Sequence, residues 1–243
     1  MLTPARLVPV AGLAAHIGHG LQRIATDAAI GRLRSTPRRI GDLDAAHLSR
    51  LMGRGVESAA VIGGDAGTSS RARLALSGAD VPESVFVKMP AETAATRMMG
   101  ELGRLGQTEV RFYQQLADGL PGVPRAYGAT FDALTGRYVL VLEDLTLSSC
   151  EFTDTLHPLD KDRAAATVQV LAQLHAAFWG RLPERSGWLY SASGDHTSLL
   201  TGSLLKLATS DWPRAPTSRW PVAASSTRTT GPQPSYWTGH RIP

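Results

Sequence analysis

Residues 56–88 read VESAAVIGGDAGTSSRARLALSGADVPESVFVK. Residues 56–62 are a short run of β-branched and small side chains, which predicts a strand. Residues 63–70 form a glycine-rich turn holding Gly63, Gly64, Gly67, Thr68 and Ser69. Residues 71–76 predict a second strand, residues 77–82 carry turn chemistry, and residues 84–89 predict a third strand that bears Lys88. Strands joined by such short turns form an antiparallel meander.

Further along the chain, residues 92–117 predict one long helix with Val110, Tyr113 and Leu116 on one side and Glu109 beside them. Pro121 and Pro124 end it. Residues 125–131 and 138–143 predict two more strands, the second a continuous apolar run suited to a buried position. Glu143, Asp144 and Leu145 follow it. Asp160 is placed to cap a helix in which Ala164, Thr167, Val168, Leu171, Leu174, His175 and Phe178 form an apolar stripe. His175 on that stripe predicts a packed core histidine.

Toward the N-terminus, Asp42 or Asp44 can cap a helix that turns Leu48, Leu51 and Met52 inward, with Gly53 and Gly55 at its end. Before that, Leu21, Ile24, Ala28 and Ala29 fall at helical spacing and predict a short amphipathic helix, and residues 32–39 predict an exposed arginine-rich linker.

Composition narrows the function classes. The chain has 243 residues, enough for one large domain or two small ones. No apolar run reaches the roughly 18 residues of a membrane span, so no membrane role is expected. Cys150 is the single cysteine, which excludes an internal disulfide framework and leaves a cytoplasmic setting as the expectation. No cluster has zinc spacing, and no metal site is expected. The net charge of +4 comes from the two ends: residues 1–40 hold six arginines and one aspartate, residues 209–243 four arginines and one aspartate. The middle is acidic, so no specific nucleic-acid partner is expected. Only Lys88, Lys161 and Lys206 are lysines.

The glycine turn fits neither common phosphate motif. A P-loop needs a lysine after its last glycine, and Gly67 is followed by Thr68. A dinucleotide fold needs the turn to open a helix, and a strand follows here. A glycine turn between antiparallel strands, a lysine on the third strand, a glutamate on the next helix and a hinge-like segment after the fifth strand follow the order of a kinase nucleotide lobe. The glycines let backbone N–H groups approach phosphates, the lysine neutralises phosphate charge, and the glutamate holds the lysine in place. Glu101 competes with Glu109 for that role.

Residues 67–76, 85–88, 109–113, 138–145 and 171–179 together resemble the aminoglycoside phosphotransferase and choline-kinase-like superfamily, most closely its ecdysteroid-kinase-like small-molecule kinase branch. The resemblance covers roughly residues 42–190. It implies an α+β fold: a protein-kinase-like N-lobe, with a five-stranded antiparallel sheet plus a helix, followed by an incomplete helical C-lobe. The implied function is phosphoryl transfer from ATP to the hydroxyl of a small molecule. Gly63, Gly64, Gly67, Thr68 and Ser69 would cover the phosphates, Lys88 would contact them, Glu109 would hold Lys88, and Glu143, Asp144 and Leu145 would form the hinge. The resemblance carried by the Glu-Val-Arg-Phe-Tyr run of residues 109–113 implies Glu109 rather than Glu101. The divisions expected are an N-terminal helix and linker over 1–41, the nucleotide lobe and hinge over 42–145, a partial C-lobe over 146–208, and a tail over 209–243 that reads as disordered or as a shifted frame.

The chain departs from the family in its catalytic loop. Ser193-Gly-Asp-His196 lacks the histidine before the glycine, and Leu200 stands five residues after Asp195 where the family has asparagine. The chain contains no asparagine at all. Kinases of this type use an Asp to orient the acceptor, an Asn for one Mg²⁺ and a later Asp for Mg²⁺. The expectation is therefore a kinase-like chain with no catalytic residue and no Mg²⁺ ligand, inactive in transfer. The rival expectations are a non-catalytic nucleotide-binding or regulatory module, and a truncated product without function.

Overall fold

The computed structural model describes residues 4–150, 152 and 159–180. Five strands form one sheet: β1 (Gly55–Ala66), β2 (Ser69–Ala79), β3 (Ser84–Pro90), β4 (Ala126–Phe131) and β5 (Tyr138–Glu143). Their order is β1-β2-β3-β5-β4, with every neighbouring pair antiparallel. Five helices accompany the sheet: α1 (Pro4–Ile30), α2 (Ala45–Met52), α3 (Ala94–Leu102), α4 (Leu105–Gln115) and α5 (Lys161–Phe178). The fold is α+β, as the sequence implied.

Alternation along the strands sends one set of side chains to each face. Ala72, Leu74, Val85, Val87, Met89, Val139 and Val141 are buried together with Leu43, Leu48, Met52 and Val56, so α2 covers one face. Asp44 caps α2 by accepting a hydrogen bond from His47 N at 2.7 Å, and Gly53 ends it in the left-handed region at φ 64°. Burying Leu48 and Met52 against the sheet contributes about 2 kcal/mol each. The opposite face carries Arg71, Arg73, Phe86, Lys88, Leu140 and Leu142, and α4 packs on β4 and β5 there with Val110 fully buried.

Four expectations need correction. The glycine-rich turn is shorter than residues 63–70: Gly63 and Gly64 lie inside β1, paired with Arg73 and Ala72, and the chain reverses over Gly67 and Thr68. A Cβ on Gly64 would stand 2.6 Å from the Arg71 carbonyl oxygen, so this glycine serves close strand approach. The single helix over 92–117 is two helices, because Arg104 takes a left-handed conformation at φ 48° between α3 and α4. The stripe on α5 is not a packed face among the described residues: Val168, Leu171 and His175 are exposed.

The fourth correction concerns the N-terminus. The short helix is 27 residues long, and the arginine-rich segment after it is tied down. Asp27 is 1% exposed. Its carboxylate accepts from Arg97 Nη1 at 2.6 Å and from Arg137 Nε and Nη2 at 2.7 and 2.6 Å. Arg38 Nη2 lies 3.4 Å away. Arg34 donates to both oxygens of Asp132, at 2.9 and 3.2 Å. Arg23 donates to Glu101 at 2.9 Å and to the Ala133 carbonyl at 3.0 Å. These bonds join α1 and the following segment to α3 and to the turn between β4 and β5. Burial pushes the Asp27 carboxyl up, but the guanidinium groups of Arg137 and Arg97 outweigh it and hold the pKa below the ordinary range.

Candidate nucleotide site

Lys88 sits near the end of β3, with Leu140 as its neighbour on β5 and Arg71 as its neighbour on β2. It points away from the α2 core because it alternates with Val87 and Met89, which are both fully buried. Glu109 sits one turn into α4, and its Oε1 is 2.5 Å from Lys88 Nζ. Both side chains are roughly a quarter exposed. Glu101, the competing acid, is taken by Arg23.

Lys88 and Glu109 open onto a cleft of about 510 Å³, whose walls include Thr68, Ser69, Thr108, Phe112 and Tyr138. The hairpin tip thus meets the lysine of β3 and the glutamate of α4. Tyr138 is buried under α4, where a Cβ on Gly106 would fall 2.3 Å from its ring. Burial, then the negative charges of Glu109 and Glu101, push the Tyr138 phenol well above its ordinary pKa. The ring is therefore a neutral wall across the physiological range.

The remaining residues named from sequence lie elsewhere. Gly63 and Gly64 are strand residues, and Gly67 lies at the tip, where a Cβ would be 3.3 Å from Arg71 Nη2. Glu143, Asp144 and Leu145 stand at the far end of β5, with Glu143 three residues beyond the partner of Lys88, about 10 Å along the strand. Glu143 pairs with Arg125 through backbone and side chain. Asp144 is buried and accepts from Ser84 Oγ at 2.5 Å, Arg73 Nε at 2.8 Å, Thr146 Oγ1 at 2.7 Å and Thr146 N at 3.1 Å. Burial raises its pKa, and these hydrogen bonds outweigh burial and bring it down to about 2. Its side chain is fully engaged within the protein, which leaves only its backbone to face a ligand. Leu145 opens a 3-10 turn over Leu145–Leu147. Ser193-Gly-Asp-His196 and the tail over 209–243 lie outside the described residues.

Sequence reasoning missed Thr108, Phe112 and Tyr138 as cleft walls, and Arg71 and Arg73 as residues of the open face. Alternation along β2 from the apolar Ala72 and Leu74 would have placed both arginines there. Among the described residues, three buried side-chain polar atoms have no hydrogen-bond partner: Arg38 Nε, Arg71 Nε and Thr108 Oγ1. Two of the three belong to this region: Thr108 lines the cleft, and Arg71 is the cross-strand neighbour of Lys88.

A family model described as the ecdysteroid kinase-like family matches residues 66–179. This stretch is similar to that family. The ecdysteroid kinase-like family is part of the protein kinase-like and choline kinase superfamily, and its members are kinase-like small-molecule phosphotransferases. The matched residues of the ecdysteroid kinase-like segment run from the end of β1 through α5 and include Lys88 and Glu109. No curated protein and no solved structure matches the chain. Among the described residues, no helix is long and apolar enough to cross a membrane.

Proposed function

We propose that this chain binds ATP in the Lys88–Glu109 cleft, as a kinase-like protein of the aminoglycoside phosphotransferase type, and does not itself transfer the phosphate. The observation that carries the nucleotide reading is the 2.5 Å ion pair between Lys88 on the third strand and Glu109 on the adjoining helix. A lysine held this way presents its remaining ammonium protons to phosphate oxygens, and the acid fixes its direction. The hairpin tip at Gly67 and Thr68 offers backbone to the same phosphates. The backbone of Glu143, Asp144 and Leu145 would meet the adenine edge. The unpartnered Arg71 Nε and Thr108 Oγ1 fit a polar ligand, because a buried polar atom without a partner costs about 1–3 kcal/mol.

The chain's own residues go no further than binding. The metal-binding Asn of the family's reaction has no counterpart, since the chain has no asparagine, and Asp195 does not match the acceptor-orienting Asp, since Ser193 rather than histidine precedes its glycine. Among the described residues, no group of three His, Cys, Asp or Glu side chains could hold a metal ion. A small-molecule hydroxyl acceptor belongs to complete relatives of this type, and the setting we expect is cytoplasmic. The divisions we propose are 1–41, 42–145, 146–208 and 209–243, although residues 1–41 are bonded to the second of these.

Isothermal titration with ATP tests the proposal. Measurable binding that Lys88→Met weakens at least tenfold, with no phosphate released or transferred to a panel of hydroxylated compounds, is the expected result. Absence of ATP binding by the unmodified chain overturns it. Transfer to any acceptor overturns the non-catalytic part.

A further inference from the structure

Arg71 is the Cα partner of Lys88 across the β2–β3 ladder. Directly opposed residues of an antiparallel pair lie about 5 Å apart and share a face. Two cations therefore stand side by side on the open face of the sheet. The Lys88 charge is matched by Glu109 within the cleft. Arg71 is matched differently: its Nη2 donates to Asp65 Oδ2 at 2.6 Å, and Asp65 is its own neighbour across the β1–β2 ladder, with 64% of its side chain exposed. An exposed ion pair of this kind is worth well under about 1 kcal/mol, so it is easily exchanged.

The rest of the Arg71 guanidinium is poorly served. Its Nε is buried and has no acceptor. The tip of the hairpin lies against it, since a Cβ on Gly67 would be 3.3 Å from Nη2. A guanidinium beside a lysine, with Nη2 against a glycine tip and held only by an exposed acid, and with Nε lacking an acceptor, is suited to a bound anion.

We infer that Arg71 is a second phosphate-binding cation of the nucleotide site, held in reserve by Asp65 and released to the phosphates when nucleotide binds. This rests on the nucleotide reading of the Lys88 cleft. In the bound form Arg71 gives up Asp65 and donates to a phosphate oxygen, the Asp65 carboxylate turns to water, and the hairpin tip closes over the new bond. The surface pair is then a competitor of the ligand, and removing its acid strengthens binding.

The test is titration of ATP and adenosine against the full chain and its Arg71→Ala, Asp65→Asn and Lys88→Met variants, with adenosine binding read by ligand-observed NMR. Arg71→Ala is expected to weaken ATP about tenfold and to leave adenosine unchanged. Asp65→Asn is expected to tighten ATP a few-fold, and to lose that gain when combined with Arg71→Ala. A merely structural arginine would move ATP and adenosine together and would give Asp65→Asn no gain, and either outcome overturns the assignment. If Lys88→Met loses ATP while Arg71→Ala does not, the assignment falls and the nucleotide site stands. If the unmodified chain binds no ATP, the site itself falls and the assignment with it.

Discussion

Arg73 donates from Nε to Asp144 at 2.8 Å, linking the middle of β2 to the residue that leaves β5. Ser84 Oγ, at the start of β3, donates to the same carboxylate oxygen at 2.5 Å. One buried acid thus holds three strands in register at the end of the sheet where the chain departs toward α5.

That acid makes stability fall at low pH. The Asp144 carboxyl titrates near 2 in the folded chain, below its ordinary value of 3.8. Its contribution is complete above about pH 4 and is lost as pH falls through 2, amounting to about 2 kcal/mol. Urea unfolding between pH 6 and pH 2 should show this acid limb, and Asp144→Asn should flatten it. Parallel curves for the two proteins would remove the assignment.

Asp27 carries a larger load. Asp27→Ala leaves the Arg97 and Arg137 side chains, each 5% exposed, without their anion. Breaking a buried pair from one side costs about 3–5 kcal/mol. Urea midpoints measure the loss, and a change below 1 kcal/mol would mean that water replaces the carboxylate.

Gly106 sets the distance between α4 and the sheet. A methyl group there would meet the buried Tyr138 ring, whereas one on Gly100 meets nothing within 4 Å. Gly106→Ala should push α4 outward, separate Glu109 from Lys88 and weaken nucleotide binding about tenfold, with a stability loss of about 1–3 kcal/mol. Gly100→Ala should leave binding unchanged and raise stability by up to about 1 kcal/mol. Equal effects of the two changes on affinity would contradict this.

Gly63 and Gly64 distinguish a strand from a mobile loop. A Cβ on Gly63 meets nothing within 4 Å, and one on Gly64 meets the Arg71 carbonyl oxygen and Ala72. Gly64→Ala should therefore lower the melting temperature by several degrees for a loss of about 1–2 kcal/mol, and Gly63→Ala should not. In a free loop both would be tolerated.

The local features of this fold were legible in the sequence. The apolar run of β5, the alternation of β3 and the Asp160 cap all appear where their residues predict them. The order of glycine turn, lysine and glutamate was enough to pair Lys88 with Glu109, 21 residues apart. Features fixed by distant partners were not legible. The length of β1 depends on pairing with β2 out to Ala66, and glycines within a ribbon look like glycines in a turn. The break at Arg104 uses a left-handed conformation that no residue type there announces. Asp27 meets arginines 70 and 110 positions away, and nothing near it in sequence marks it as buried.

The family match begins at residue 66, yet the anion for Arg97 and Arg137 is supplied by Asp27 and the outer strand of the sheet begins at Gly55. A fragment cut at the boundary of homology would remove β1, strip the hairpin of its first arm and leave two arginines facing each other in the interior. A piece of this protein meant to keep the sheet and its buried charges intact should therefore begin before Asp27, well ahead of the matched stretch.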